Sequence, residues 1–170
     1  MDFHAFSGLL TGLAATISGL LVFGKNPSNL KHRAYALYCL SASIWGYGYW
    51  AWHLSSSQED ALFFVRLLMV GAIFLPATYL FHVLTLLERV EAHQRLLRLG
   101  WGLSLFLFFA NFTPYFVSDV HPAGGFLYWP QPGLFFHLYL LGFCVFAIYG
   151  TWLLFQGARR RDGTERSRFF

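Results

Sequence analysis

Charged residues are scarce in this chain, and their scarcity excludes an ordinary water-soluble domain. Asp, Glu, Lys and Arg make up 12% of its 170 residues, against roughly 25% in soluble globular proteins. Hydrophobic residues account for 56% of the sequence, and the mean hydropathy is +0.49. This composition is typical of an integral membrane protein.

Catalytic and nucleotide-binding motifs are also lacking. The chain has no Walker loop, no GxSxG or HExxH motif, no CxxC pair and no dinucleotide-binding glycine fingerprint. Its 2 cysteines, Cys39 and Cys144, lie in apolar segments, where a free Cys acts as a small hydrophobic residue. We therefore expect no catalytic residues, no metal site and no cofactor.

Five long apolar runs dominate the sequence, at residues 6–23, 34–54, 61–87, 99–117 and 134–155. As a helix, the third run would be about 40 Å long, enough to cross the ~30 Å hydrocarbon layer with some tilt. The prediction is an all-α fold, a single polytopic transmembrane bundle of five helices. The segment 118–133 is rich in proline and glycine, which predicts an exposed, irregular loop.

The basic residues predict how the chain crosses the membrane. Eleven of the 12 Lys and Arg residues lie in the segments 24–33 and 88–98 and in the C-terminal tail, and the other one is Arg66. By the positive-inside rule, these segments are cytoplasmic and the N-terminus is outside. The N-terminal flank has no Lys or Arg, so the first run is expected to be a retained helix rather than a signal peptide.

Small residues recur on one face of the first run, at Gly8, Gly12, Ala15 and Gly19. This spacing predicts that a neighbouring helix approaches closely. The pattern does not distinguish packing within one chain from a contact between two copies.

Aromatic rings crowd the outer end of the second run, where Trp50 and Trp52 precede His53. Such rings are typical of the membrane interface, and they would also suit a pocket for a flat or cationic ligand. Both interpretations stay open, which makes Trp50, Trp52 and His53 candidate ligand-binding residues. His137 lies toward the same side, so a site shared with His53 is a further alternative.

The third run contains Arg66, Pro76 and His82, which a lipid-facing helix would avoid. Arg66 either reaches toward head groups or the nearby residues 59–60, or it serves an outward-facing pocket. Pro76 predicts a kink, which is either a hinge or plain packing. His82 is rotated about 160° from Arg66 along a helix, so the two are not expected to share a site.

Short motifs carry a resemblance to a known family. They are Asn29 and Arg33 before the second run, Trp45 and Tyr49 within it, the five-residue series Arg66, Gly71 and Pro76, and the pair Pro132-Gly133. In these features the chain resembles the N-terminal seven-helix region of membrane sensor histidine kinases. The sequence departs from that pattern at His53, where relatives often have an acidic residue, so a ligand inferred for relatives does not transfer.

The resemblance implies a membrane-embedded input region of a bacterial two-component sensor histidine kinase, non-catalytic in this chain and located in the inner membrane. The family has seven helices, so we expect a region truncated after five, with the tail TERSRFF leading into a sixth. The alternatives are a small transporter or channel subunit and a lipid-modifying membrane enzyme. The expected partners are the lipid bilayer, a small-molecule or lipid signal and a second copy of the chain, but no nucleic acid.

Overall fold

The computed structural model describes the backbone of residues 3–166 and the side chains of residues 3–159. Within this part, the chain forms five long helices joined by short connections, with a pair of strands between the last two. The helices are α1 (Phe3–Lys25), α2 (Leu30–His53), α3 (Gln58–Leu86), α4 (Gln94–Ala110) and α5 (Leu134–Arg166), and the strands are β1 (Val117–Ala123) and β2 (Phe126–Pro132).

Three of these helices are long and apolar enough to cross a membrane, at Phe3–Lys25, Gln58–Leu86 and Leu134–Arg159. The predicted number of five helices is confirmed for the described residues. Helix α4 has 17 residues, which is about 25 Å at ~1.5 Å per residue. Helix α2 has 24 residues but carries more polar side chains along its length than α1 or α3 does.

Polar caps explain why two helices begin before the apolar runs that predicted them. The side chain of Asn29 accepts a hydrogen bond from the backbone N–H of Lys31 at 2.8 Å and so caps α2. Ser57 accepts from the N–H of Asp60 at 3.1 Å and caps α3. A cap satisfies backbone donors that have no partner within the helix, so each helix extends into its polar flank.

Helices α1 and α2 pack backbone to backbone, as the small residues of α1 predict. Gly8, Gly12 and Gly19 are buried. A Cβ atom added to Gly8 would lie 2.8 Å from Cδ1 of Tyr49, and one added to Gly46 would lie 2.6 Å from the backbone nitrogen of Gly12. The neighbouring helix that the glycine face predicted is therefore α2 of the same chain.

Helix α3 is the centre of the fold, because it contacts α2, α4, α5 and both strands. Its contact with α2 is as tight as that between α1 and α2. A Cβ atom added to Gly71 would clash with the backbone of Ser41 and Trp45, and one added to Gly48 would lie 2.7 Å from the backbone of Leu68. The central position of α3 follows from an apolar surface on nearly every side.

The segment after α4 corrects two predictions. The fourth helix does not reach residue 117 but ends at Ala110, and the predicted irregular loop is an antiparallel hairpin of β1 and β2. Pro114 disfavours helix at the residue before it, and Gly124 and Gly125 adopt positive φ angles of 59° and 86° that suit a tight turn. The fold is therefore mostly helical rather than entirely α-helical.

Helix α5 continues to Arg166, beyond the run that was predicted to end at residue 155. The expected start of a sixth helix in the tail TERSRFF falls mostly outside the described residues, because the backbone is described to residue 166 and the side chains to residue 159.

Candidate signal-sensing site

The hairpin covers the end of the bundle where α2 ends and α3 begins. Val117 and Val120 of β1 are buried in one hydrophobic cluster with Trp52, Ala61 and Val65 of the helices. Burial of this apolar surface holds the hairpin on the helices, because each aliphatic or aromatic side chain contributes on the order of 1.5–3 kcal/mol when fully buried. We call the hairpin with its underlying helix ends the cap.

Hydrogen bonds fix the position of the hairpin within the cap. The indole N–H of Trp52 donates to the carbonyl of Tyr128 at 2.8 Å, and the Tyr128 hydroxyl donates to the carbonyl of Ser56 at 3.2 Å. The Gln58 side-chain amide donates to the carboxylate of Asp119 at 2.9 Å. This bond, followed by one from the N–H of Val120, lowers the pKa of Asp119, so the contact is made to an ionised carboxylate.

His53 lies in an aromatic cluster at the edge of the cap. Its ring stacks on that of His4 with 5.4 Å between centroids and an interplanar angle of 12°. The rings of Trp52 and Tyr49 lie 4.6 Å away and that of Phe126 lies 5.4 Å away. The structure therefore brings together His53 and Trp52, and it adds His4 and Phe126, which the sequence analysis did not select.

The backbone of Trp50 lies against the first helix. A Cβ atom added to Gly8 would be 2.9 Å from the backbone nitrogen of Trp50. The indole nitrogen of Trp50 is buried and forms no hydrogen bond with the part of the chain that the structure describes.

Arg66 is half-buried beneath the first strand of the hairpin. One terminal guanidinium nitrogen donates to the carbonyl of Val117 at 3.4 Å, and the backbone carbonyl of Arg66 accepts from the side-chain amide of Asn111 at 2.8 Å. Among the described side chains, Arg66 forms no ion pair with a carboxylate. Arg66 therefore joins α3 to the hairpin and to the end of α4.

Asn111 is a residue that the sequence analysis missed as a connecting group. Its side chain is fully buried at the end of α4, where its amide reaches the backbone of α3. The available signal was an amide side chain inside an apolar run, since buried polar groups in membrane proteins usually have a hydrogen-bonding role.

The remaining candidates lie apart from the cap's aromatic cluster. His137 is exposed on α5, where its ring contacts that of Phe136. Pro76 is buried within the continuous helix α3. The Ser104 hydroxyl of α4 donates to the carbonyl of Ile73 at 3.1 Å, which joins α4 to the turn of α3 just before the proline.

His82 faces α2 rather than the cap. Its ring lies 5.3 Å from that of Tyr35 and 6.3 Å from that of Tyr38, whereas Arg66 contacts the hairpin. Arg66 and His82 therefore have different neighbours, as their rotation along the helix predicts.

Comparisons with known proteins place the chain in a family. No curated protein and no solved structure matches it. The family described as the N-terminal 7TM region of histidine kinase matches residues 6–170, which is nearly the whole chain and includes all five helices except the first three residues of α1. The chain belongs to this family of histidine kinase N-terminal membrane regions.

Proposed function

We propose that the chain is the membrane-embedded, non-catalytic input region of a bacterial two-component sensor histidine kinase. The observation that carries this proposal is the family match over residues 6–170. The three helices that are long and apolar enough to span a membrane support it. The proposed location is the bacterial inner membrane, with the bilayer as partner.

In the proposed topology all five helices cross the membrane, with the N-terminus and the cap outside. The described strands carry no Lys or Arg, whereas the other end of the bundle carries Lys31 in the first turn of α2 and Arg89 in the connection after α3. Lys31 also forms an ion pair with Glu88 at 2.7 Å, which links the start of α2 to the connection after α3. The positive-inside rule assigns this basic end to the cytoplasm.

The cap is the proposed place where an external small molecule or lipid acts. Arg66, His53, Trp50 and Trp52 remain the proposed ligand-contacting residues, with His137 as an outlying candidate. A ligand that binds better to one position of the hairpin would shift the packing of α3, because the hairpin and α3 are joined by buried side chains. To act as a signal, the ligand needs only a higher affinity for one packing of the helices than for the other.

The output proposed for this region is a change in the relative position of α3 and α5. These helices contact each other along the bundle, and α5 emerges at the basic end in the proposed topology. Pro76 is the proposed hinge within α3. Tyr79, which follows Pro76 in α3, forms a hydrogen bond of 3.0 Å through its hydroxyl with the hydroxyl of Thr151 in α5. A shift of this part of α3 would therefore be passed directly to α5.

A fusion tests this function. Residues 1–170 are joined through the end of α5 to the catalytic core of a histidine kinase, in a series of junctions that differ by one residue over a helical turn. Autophosphorylation is then measured in proteoliposomes. We expect the rate to depend on the junction and to change when Trp52→Phe removes the hydrogen bond to the hairpin, with Phe109→Leu on the exposed face of α4 as the control.

An autophosphorylation rate that is the same at every junction and in both variants would contradict an input role.

A further inference from the structure

A groove of about 600 Å³ runs between α1 and α2 along the half of these helices nearest to the loop that joins them. Its volume lies within the ~300–1,000 Å³ range of ligand sites. The walls are mainly apolar, with Leu20 and Phe23 from α1, Leu37 and Leu40 from α2, and Phe81 from α3. Leu20 and Leu40 of these walls are exposed, so the groove opens to the outside of the bundle.

Arg33 is the charged residue among those that line the groove. It lies in the first turn of α2, where the positive end of the helix dipole adds to its charge. Its guanidinium forms no ion pair with a carboxylate in the described part of the chain, whereas Lys31 is paired with Glu88. One end of the groove therefore offers a cation that is available to an anionic group.

Three hydroxyl groups mark the other part of the groove. Thr16 forms hydrogen bonds of 3.0 Å with both Ser43 and Tyr47. These hydroxyls satisfy one another, so they do not require a polar ligand. Ser43 follows Arg33 by ten residues, which is about 15 Å along a helix, or half of the ~30 Å hydrocarbon layer.

We propose that this groove binds one anionic phospholipid of the cytoplasmic leaflet. Its phosphate pairs with Arg33, and one acyl chain lies along the apolar walls toward Ser43. Arginine suits this role because its planar guanidinium donates two hydrogen bonds to a phosphate. The leaflet is taken from the proposed topology, in which the Arg33 end is cytoplasmic, and anionic lipids are enriched there.

The dimensions and charge of the groove favour an anionic phospholipid over other occupants. Its charged end and its ~15 Å reach to the hydroxyls match a head group and a chain within a single leaflet. A zwitterionic lipid would place a second cation beside Arg33 and so gain less. A purely apolar occupant would leave the Arg33 guanidinium without a partner.

Native mass spectrometry of the purified 170-residue chain tests the charge requirement. The chain in detergent is mixed with equal amounts of phosphatidylglycerol and phosphatidylcholine that carry identical acyl chains. We expect one phosphatidylglycerol to be retained with at least a several-fold preference. The preference should be lost in Arg33→Gln and kept in Arg98→Gln, because Arg98 is exposed on α4 and does not line the groove.

A second pair of variants tests the shape requirement. Leu40 lines the groove and is 55% exposed, so Leu40→Trp partly fills the groove without entering the core. This variant should retain several-fold less of both lipids. Leu105→Trp is the matched control, because Leu105 is 52% exposed on α4 and away from the groove. Circular dichroism and thermal unfolding establish that all four variants are folded.

Equal retention of the two lipids, or unchanged preference in Arg33→Gln, would overturn the proposal. A lipid-free dimer that Leu40→Trp dissociates would overturn it as well, and would assign the groove to a second copy of the chain. Retention in detergent does not depend on membrane orientation or on signalling. A failure here is therefore distinct from a failure of the proposed input function.

Discussion

Gly71→Ala is the sharpest test of the packing between α2 and α3. Gly71 lies where a Cβ atom would clash with the backbone carbonyl of Ser41 and the backbone nitrogen of Trp45. A flexible side chain could rotate away from a new methyl group, but these backbone atoms belong to a helix. The substitution therefore pushes the two helices apart, instead of displacing a single side chain.

The expected cost follows from two opposing effects. Overpacking of a well-packed interior costs about 1–3 kcal/mol, and the upper value applies here because the clash is with backbone. Replacing glycine by alanine within a helix returns up to about 1 kcal/mol. The net loss in the free energy of unfolding should be about 2 kcal/mol.

Gly102→Ala is the matched control, because a Cβ atom at Gly102 of α4 meets nothing within 4 Å. It should gain the helix propensity of alanine without a clash, and so be as stable as the wild type or slightly more stable. Unfolding of the purified chain in mixed detergent micelles, followed by circular dichroism, compares the two. Equal stability of Gly71→Ala and Gly102→Ala would refute the close backbone contact.

Three further predictions concern the site, the topology and the lack of catalysis. In the kinase fusion, Arg66→Lys should change autophosphorylation as much as Arg66→Ala, because an ammonium group lacks the planar, multidentate geometry of guanidinium; a wild-type rate for the lysine variant would contradict this. Reporter fusions at Ser57 and Gly125 should be external and a fusion at His93 cytoplasmic, and the reverse pattern would disprove the proposed orientation. The purified chain should show no ATP-dependent phosphotransfer, since it has no phosphate-binding loop; labelling by the chain alone would disprove this.

The helices were predictable because their signals are local. Apolar runs locate the helices, and the spacing of Gly8, Gly12 and Gly19 identifies a packing face. Asn29 and Ser57 extend two helices by capping them, which apolar runs do not reveal. The prediction of α4 failed at its end because hydropathy alone does not register the turn residues that follow Ala110.

The hairpin was missed because two local signals conflict. Pro130 and Pro132 lack the N–H that a central strand needs, and they favour an irregular loop. The pair Gly124-Gly125 favours a tight turn between strands. In a sheet of two strands each strand has a free edge, so the prolines are tolerated and the glycine signal prevails.

The candidate site could be predicted only in part, because helical periodicity gives a direction but not a neighbour. The rotation between Arg66 and His82 correctly separated their surroundings. The contact of Arg66 with Val117 depends on a hairpin that the sequence analysis did not predict. The stacking of His4 on His53 depends on the antiparallel packing of α1 and α2, which brings the start of one helix beside the end of the other.

The tight contacts along α2 determine what kind of motion can pass through this fold. The cap lies at one end of α2 and the groove near Arg33 at the other, and glycine-mediated backbone contacts hold α2 against α1 and α3 in between. At Gly46, Gly48 and Gly71 the touching atoms include backbone, so side-chain rearrangement alone cannot absorb a displacement at these contacts. A displacement of α2 at either end would therefore be carried along the helix as a rigid shift, and the proposed ligand in the cap and the proposed lipid in the groove would act on the same element.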